Sequence, residues 1–492
     1  METTTEHISE EANRLDKVQR FLDQNINPYA YTFKPSHTIL SLNTDYNHLN
    51  PGDHDDKSVI IAGRLMAKRG HGKAMFCNVL DQTGRVQAYI NKSKTSDDLF
   101  DLFTQCDVGD IVGITGHMFK SQRGELTVFI ESFELLTKSL LPLPEKYHGL
   151  QDKELRYRKR YVDLISNTEV RDVFKCRSDV IHGIRQYLHK ESFMEVETPV
   201  LQSIYGGASA RPFETYHNEL QQNLYLRIAL ELHLKRLIVG GYERVFEIGR
   251  VFRNEGVSWK HNPEYTLLEL YQAYADYHDI MTLTETLIST LIYKQYGSYT
   301  LEYQGQTLDF KPPFKRVTMT DAIKEHAGVD ICGPIEELVR VAKSLNLDVP
   351  DHAHRGELIN LIYDKTVEPT LIQPTFMMDY PWETSPLAKR KRDNNALVER
   401  FELIVNGMEL ANAFTELNDP IDQEARFKDQ LAAKEAGYDE THEMDADFIE
   451  ALKYGMPPTG GLGIGIDRLV MLMTNSPSIR DVICFPHMRD QK

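Results

Sequence analysis

The sequence predicts an α+β fold in more than one domain: a small N-terminal β-barrel, then a larger domain with a central antiparallel sheet flanked by helices. Three observations carry this. The chain has 492 residues, and single hydrophobic cores stop growing near ~250–300 residues. Short β-branched and alternating runs, broken by turn signals, fill residues 57–140. From residue 161 onward helical and strand periods mix. A hydrophobic content of 41% with 26% charged residues is that of an ordinary globular chain.

The elements follow in order. Within 1–56, Leu15, Val18 and Leu22 recur at helical spacing and predict a helix over 7–24. Residues 25–56, rich in Asn, Pro, Asp and His, read as an extended linker. Strands are expected at Val59–Leu65, Ala74–Leu80, Val86–Ile90, Asp110–Phe119 and Leu126–Leu136, with Asp81–Gly84 as a hairpin turn. A short helix at Asp97–Phe103 falls between the third and fourth strands. Five strands with a helix in that gap is the order of an OB-fold, a barrel that often binds single-stranded nucleic acid. Residues 141–160 form a hinge, and 161–492 form the second domain. There Val173–Lys190 is a long helix, Phe193–Pro199 a strand, and about 317–365 a helical insertion.

Several function classes are disfavoured at once. A net charge of −17 argues against a generic nucleic-acid binder. Local basic tracks remain, at Lys68–Lys73 and at Arg156, Arg158, Lys159 and Arg160, and phosphate contact is the expectation for both. The N-terminal residues show no signal-peptide core, and no apolar run nears the ~18 residues of a membrane span. The five cysteines are scattered, which fits a reducing cytoplasm and neither zinc nor a disulfide framework.

Chemistry concentrates in three places. The first is Phe252-Arg253-Asn254-Glu255-Gly256 with His261-Asn262-Pro263-Glu264-Tyr265-Thr266, read as two strands, Glu243–Glu255 and Tyr265–Tyr274, joined by a polar loop. Alternation makes Arg253 and Glu255 point the same way, and Tyr265, Leu267, Glu269 and Tyr271 likewise share a face of their strand. Taken alone, an Arg-x-Glu on a strand is usually a surface ion pair. The second is Gly463-Ile464-Gly465-Ile466-Asp467-Arg468, glycine-rich and then helical over Ile466–Met473. Two separated arginines that converge can hold a polyphosphate at both ends. The third is Phe401–Asn412, where Asn406-Gly407 is a strong hairpin-turn signal. That turn pairs Ile404 with Glu409 and puts Glu402 on the diagonal, at about 7–8 Å, a spacing at which two carboxylates can clasp a cation. The alternative is a solvated pair of carboxylates.

The first two stretches resemble motifs 2 and 3 of the class II aminoacyl-tRNA synthetases. The surrounding residues narrow the resemblance to the lysyl-tRNA synthetases, of bacterial type because no long basic N-terminal extension is present, and it covers nearly the whole chain. It implies an enzyme that joins L-lysine to ATP as lysyl-adenylate, then passes lysine to the 3′-hydroxyl of the terminal adenosine of tRNA(Lys). Arg253 and Arg468 are then the catalytic arginines. ATP is held by them with Glu255, His261, Asn262 and Tyr265. Lysine is held by Gly207, Glu231, Glu269, Tyr271, Asn412 and Glu416: Glu269, Glu416 and Tyr271 on the ε-ammonium, Glu231 and the Gly207 carbonyl on the α-amino group, Arg253 and Asn412 on the carboxylate. Glu402 and Glu409 hold Mg²⁺. Phe76 and Gln87 read the anticodon, although Phe76 equally suits a core position. Helix Val173–Lys190 and the strand ending at Pro199 are similar to motif 1, which implies a homodimer.

Charge supports the lysine assignment independently. An ammonium leaving water must be paired and hydrogen-bonded, or its burial costs several kcal/mol, and Glu231, Glu269 and Glu416 are carboxylates. Lys260 and Tyr265 depart from the family pattern, which usually has Arg and Phe there. One conflict stands: Asn412 and Glu416 have the opposite parity to Glu409, so a bulge or strand break is expected near Leu410–Asn412. Two other readings use the same residues. A relative that passes activated lysine to a protein would lack the barrel. An inactive scaffold would have no need of Arg253, Glu255, Glu402, Glu409 and Arg468 together.

Overall fold

The computed structural model describes residues 2–70, 72–144, 150–350, 353–435 and 444–490. The chain forms two compact units, Met1–Gln151 and Asp152–Lys492.

In the first unit five strands close into a barrel: β1 (His54–Arg69), β2 (Ala74–Leu80), β3 (Arg85–Asn91), β4 (Ile111–Lys120) and β5 (Leu126–Thr137), in the order β1-β2-β3-β5-β4. Strand β1 serves both edges of the closure: it pairs with β4 as far as Arg64 and with β2 from there, with a bulge between Leu65 and Ala67 that turns it. Val59, Ile61, Val79, Ala88, Ile114 and Val128 fill the interior. The helix Asp97–Gln105 lies in the expected gap, capped by Ser96 and burying Phe100 and Phe103.

Three expectations for this unit are corrected. The N-terminal helix runs Glu2–Asp23, but it buries Arg14 and Phe21, leaving Leu15 and Leu22 exposed. Arg14 is drawn in because its guanidinium meets the carbonyls of Val108, Ser139 and Leu141. The presumed linker carries a helix, Ile39–Asp45, whose Ile39 and Leu42 join the barrel core. Lys68 is not a phosphate contact: its ammonium donates to the carbonyls of Phe103, Thr104 and Cys106 at 2.7–2.8 Å, capping the short helix. His71 of that run, and 145–149 of the hinge, lie outside the described residues.

The second unit is built on a sheet ordered Lys315–Thr318, Thr375–Pro381, Asn394–Val405, Met408–Thr415, Thr459–Gly465, Glu264–Ala273, Arg244–Phe252, Met194–Glu195. Only the outermost pair at each end is parallel. The glycine-rich strand Thr459–Gly465 sits between the two hairpins and pairs with both. This insertion brings segments two hundred residues apart in sequence to one surface. Alternation then divides the sheet. Leu268, Leu270, Leu462 and Ile464 pack with helices Glu169–Lys190, Tyr277–Tyr296 and Ile466–Met473 in the main core, while Leu267, Glu269, Tyr271, Gly461 and Gly463 line a cavity.

The insertion forms helices Met319–Ala327, Ile335–Ser344 and Arg355–Thr366, whose hydrophobic cluster also takes in Met377, Tyr380, Val398 and Ile404 of the sheet. The strand expected at Phe193–Pro199 is only Met194–Glu195, because Thr198 turns its amide and hydroxyl to the Glu247 carboxylate. The second basic track is also corrected. Arg156 and the buried Arg160 both bind Asp163, at 2.8 and 2.6 Å, and Arg158 binds Glu154. These cations hold the start of the unit together rather than face a phosphate; Lys159 alone of the four stays exposed.

Candidate active site

A cavity of about 950 Å³ opens over the central strands. This is near the top of the ~300–1,000 Å³ range of small-molecule sites. Every residue expected to bind ATP, lysine or metal lines it: Gly207, Glu231, Arg253, Glu255, His261, Asn262, Tyr265, Glu269, Tyr271, Glu402, Glu409, Asn412, Glu416 and Arg468.

At one end stand the arginines. Contrary to the expected strand Glu243–Glu255, Arg253 and Glu255 do not reach their places by strand alternation, because the strand ends at Phe252. The chain turns instead: the Arg253 amide donates to the Pro263 carbonyl, and the Glu255 amide to the Arg253 carbonyl, both at 2.8 Å. The Arg253 guanidinium lies 5.5 Å from the centre of the Tyr265 ring. Arg468, on the first turn of helix Ile466–Met473, donates to the Glu409 carbonyl at 2.7 Å and approaches the Glu409 carboxylate at 3.3 Å. Its other nitrogen is 3.4 Å from His261 Nε2. Burial first, then Arg468 and Lys260, push the His261 imidazole down to about 4, so it stands neutral beside the cations. Lys260 lies 4.0 Å from Glu368.

The hairpin resolves the parity conflict. Asn406 and Gly407 both have positive φ, 50° and 63°, the condition of the two-residue turn that matches strand twist. Ile404 pairs with Glu409, but Leu403 pairs with Ala411, so Leu410 is a bulge. The extra residue reverses the alternation, and Glu409, Asn412, Phe414 and Glu416 all face the cavity. Glu402 pairs with Asn412 across the strands. Arg400, which the motifs had not singled out, holds both: 2.5 Å to Glu402 and 3.1 Å to the Asn412 oxygen. Two positions before Glu402 on one strand, it shares that residue's face, and this spacing was the signal for it. Burial pushes the Glu402 carboxyl up to about 7, with Glu409 adding to the rise against Arg400. Desolvation in the cleft weighs less on Glu409, whose side chain is 42% exposed, and Arg468, Arg400 and Arg253 outweigh it and hold the carboxyl below the usual range.

The opposite end has an acidic floor. Glu269 accepts from the Leu230 amide at 3.0 Å and the Tyr271 hydroxyl at 3.1 Å. Burial first, then the charge of Glu231, push its carboxyl up to about 8. Glu416 is 1% exposed, and burial holds its carboxyl well above the carboxylate range. Its Oε1 is buried without a hydrogen-bond partner. A buried acceptor left open costs ~1–3 kcal/mol, more when charged, so such an atom points to a donor that arrives with a ligand. Two glycines make room. At Gly461 a Cβ would lie 1.9 Å from that Oε1, and at Gly207, φ +85°, 3.0 Å from both Ala229 and Glu231.

On the barrel, Phe76 is half-buried and opposite Tyr89, ring centres 4.6 Å apart. Tyr89 continues to Phe119 and Phe129, and His117 stacks on Phe129 at 5.1 Å. Gln87 is buried, not open as expected: its amide nitrogen donates to Glu125 at 2.7 Å and its oxygen accepts from Thr127 at 3.0 Å. These contacts fix which way the amide faces.

Both units resemble known protein families. Residues 152–489 match the model for tRNA synthetases class II (D, K and N), and residues 59–136 the model for the OB-fold nucleic acid binding domain. The chain belongs to the class II tRNA synthetases. It is 54% identical over 478 residues to a lysine–tRNA ligase of Carboxydothermus hydrogenoformans, covering 97% of each chain. It is 52% identical to that of Bacillus subtilis, covering 99% of each. For that of Staphylococcus epidermidis the identity is 51%, over 98% of this chain and all of the relative.

Proposed function

We propose that the chain is a lysine–tRNA ligase whose acid-floored cavity selects L-lysine by charge. The single observation that carries the specificity is the convergence of Glu231, Glu269 and Glu416 on one cavity with Arg253 and Arg468. Aspartate or asparagine in the same place would put a carboxylate or a neutral amide against three acids. Lysine brings two ammonium groups for the floor and one carboxylate for Arg253 and the Asn412 amide.

The reaction follows from that placement. ATP lies along the arginine end, with Tyr265 beneath the adenine, Glu255 at its amino group, and His261, Asn262, Arg253 and Arg468 around the phosphates. The lysine carboxylate attacks the α-phosphorus, the α–β bridging bond breaks and pyrophosphate leaves. The terminal 3′-hydroxyl of tRNA(Lys) then attacks the carbonyl carbon of lysyl-adenylate and AMP departs. Positioning and charge stabilisation supply the catalysis; no protein nucleophile is required.

Mg²⁺ fits the pair Glu402 and Glu409. Burial and mutual repulsion resist ionisation of Glu402, a resistance that a divalent cation relieves. No cluster of three metal-binding side chains exists among the described residues. Magnesium characteristically takes one or two carboxylates and completes its shell with water and phosphate oxygens. Bound there, it would neutralise phosphate charge.

The barrel reads the anticodon, with Phe76 stacking on a base and the oriented Gln87 amide beside it. A second copy of the chain docks at the motif 1 region around Pro199, where Met194, Val200, Leu201 and Ile204 are exposed. The enzyme works in the cytoplasm; among the described residues no helix is long and apolar enough to cross a membrane.

Lysine-dependent exchange of pyrophosphate into ATP, followed by charging of tRNA(Lys), tests the reading. Both activities are expected. Exchange without charging would assign the lysine to another acceptor, and no exchange with lysine would refute the function.

A further inference from the structure

One cation at the acidic floor belongs to none of the groups described above. Lys235 lies on helix Glu231–Val239, one turn beyond Glu231, and its side chain is 0% exposed. It is absent from the cavity wall. Its ammonium donates to Glu231 at 2.5 Å and makes an ion pair with Glu416. The rings of Tyr271, Phe414 and Phe448 surround it at 5.4–6.0 Å. Burying a lysine is costly unless it is paired, and an aliphatic residue would fill an aromatic cage at no such cost. The two carboxylates it binds come from different elements, a helix and the end of the strand Met408–Thr415.

We propose that Lys235 is a positioning residue for substrate recognition: from below the floor it clamps Glu231 to Glu416 and aims their remaining oxygens at the two ammonium groups of the incoming lysine. This deepens the reading of the function given above and rests on it. The unpartnered Glu416 Oε1 is the atom so aimed. The charges then balance. Three carboxylates, Glu231, Glu269 and Glu416, meet one resident ammonium and two brought by the substrate. Without substrate the floor holds excess acid, and burial raises all three carboxyls. Burial also weighs on Lys235, but Glu231 and Glu416 outweigh it and keep the ammonium charged. The titratable groups around Lys235 are Glu231 on its own helix, Glu416 beyond the strand Met408–Thr415, and Tyr271 with Glu269 behind it on Glu264–Ala273. Helix Ala446–Lys453 presents Phe448, and Arg400 and Arg253 are the other cations acting on these carboxylates.

The test is lysine-dependent pyrophosphate exchange by the full-length enzyme across pH 6–9, for wild type, Lys235→Met and Lys235→Arg. Loss of a buried pair's partner predicts that Lys235→Met raises KM for lysine on the order of 100-fold at neutral pH. KM for ATP stays unchanged, and saturating lysine restores most of kcat. The KM penalty shrinks as pH rises, because carboxyls that have lost their resident cation must shed a further proton to take the substrate. Lys235→Arg keeps most of the affinity. A KM for lysine equal to wild type in Lys235→Met, or a penalty constant across pH, overturns the proposal. Should Lys235→Met not fold, Lys235→Gln carries the same arms. Independently of any variant, a structure with lysine bound in which Nζ of Lys235 has left Glu416 also overturns it. Wild type without lysine-dependent exchange would instead remove the functional reading itself.

Discussion

The two ends of the cavity mix the same residue types in different proportions. At the arginine end, carboxylates and guanidinium groups meet within one polar network: Arg468 with Glu409, Arg400 with Glu402. Three arginines hold Glu409, whose side chain is 42% exposed, below the usual range, whereas burial pushes the more enclosed Glu402 up to about 7 despite Arg400. At the acidic floor, Glu231 and Glu416 share one ammonium, Glu269 has none, and burial pushes all three carboxyls upward. The difference shows that burial and the cations beside a carboxylate set its state together. One end is ready for an anion, and the other holds acid that only an arriving cation can fully ionise.

The largest break in this contrast is expected from Arg253→Ala. Loss of a preorganised charge donor at the reacting phosphate predicts a fall of ~10²–10³-fold in the pyrophosphate-exchange kcat. If KM for ATP changes while kcat holds, Arg253 binds the ground state only. Glu416→Gln tests the other end. KM for lysine should rise on the order of 100-fold, with KM for ATP unmoved; equal losses in both would dissolve the distinction between the ends.

A pH titration sharpens it. Glu269, pushed up to about 8, is protonated in the free enzyme at neutral pH and must lose that proton to receive an ammonium. Lysine binding should therefore release protons, and KM for lysine should fall as pH rises toward 8, by at most about tenfold per unit for one proton. The sign for stability agrees. A carboxyl whose folded pKa lies above its unfolded value keeps more protons when folded, so its burial lowers stability as pH climbs from about 4.5 to about 8. The rise in melting temperature on adding lysine should then be larger at pH 8 than at pH 6. Calorimetry in buffers of different ionisation enthalpy reads the proton release directly, and none at neutral pH contradicts the assignment. The smallest effect lies outside the cavity. Phe76→Ala should raise KM for tRNA by roughly tenfold, from ~1–3 kcal/mol of stacking, while exchange without tRNA is untouched. An unchanged KM for tRNA would return Phe76 to the barrel core.

Asn406-Gly407, the alternation of Leu267, Glu269 and Tyr271, and the helix at Ile466–Met473 are local signals, and each is present in the structure. The conflict of parity around Leu410 was visible too, because period-2 alternation is strict enough for its violation to imply a bulge. Lys68, Arg156, Arg158 and Arg160, expected as phosphate contacts, are claimed by carbonyls and carboxylates of the chain itself. A cation in a sequence does not reveal whether a carbonyl or a carboxylate in a distant segment will claim it. Arg14 displaced Leu15 and Leu22 from the buried face for the same reason.

By itself, then, the sequence determined the barrel's strands, the two hairpins, the glycine-rich approach to the helix and the surplus of acids that marks a cationic substrate, all of them matters of neighbouring residues and periodicity. Only the tertiary structure decided which charges are partners and which are left for substrate. The strand Thr459–Gly465 slides between two hairpins and sets Arg468 beside His261. Lys235 disappears beneath the floor to join Glu231 with Glu416. Pairing of charges depends on distance and desolvation between segments far apart in the chain, and neither quantity exists until the chain has folded.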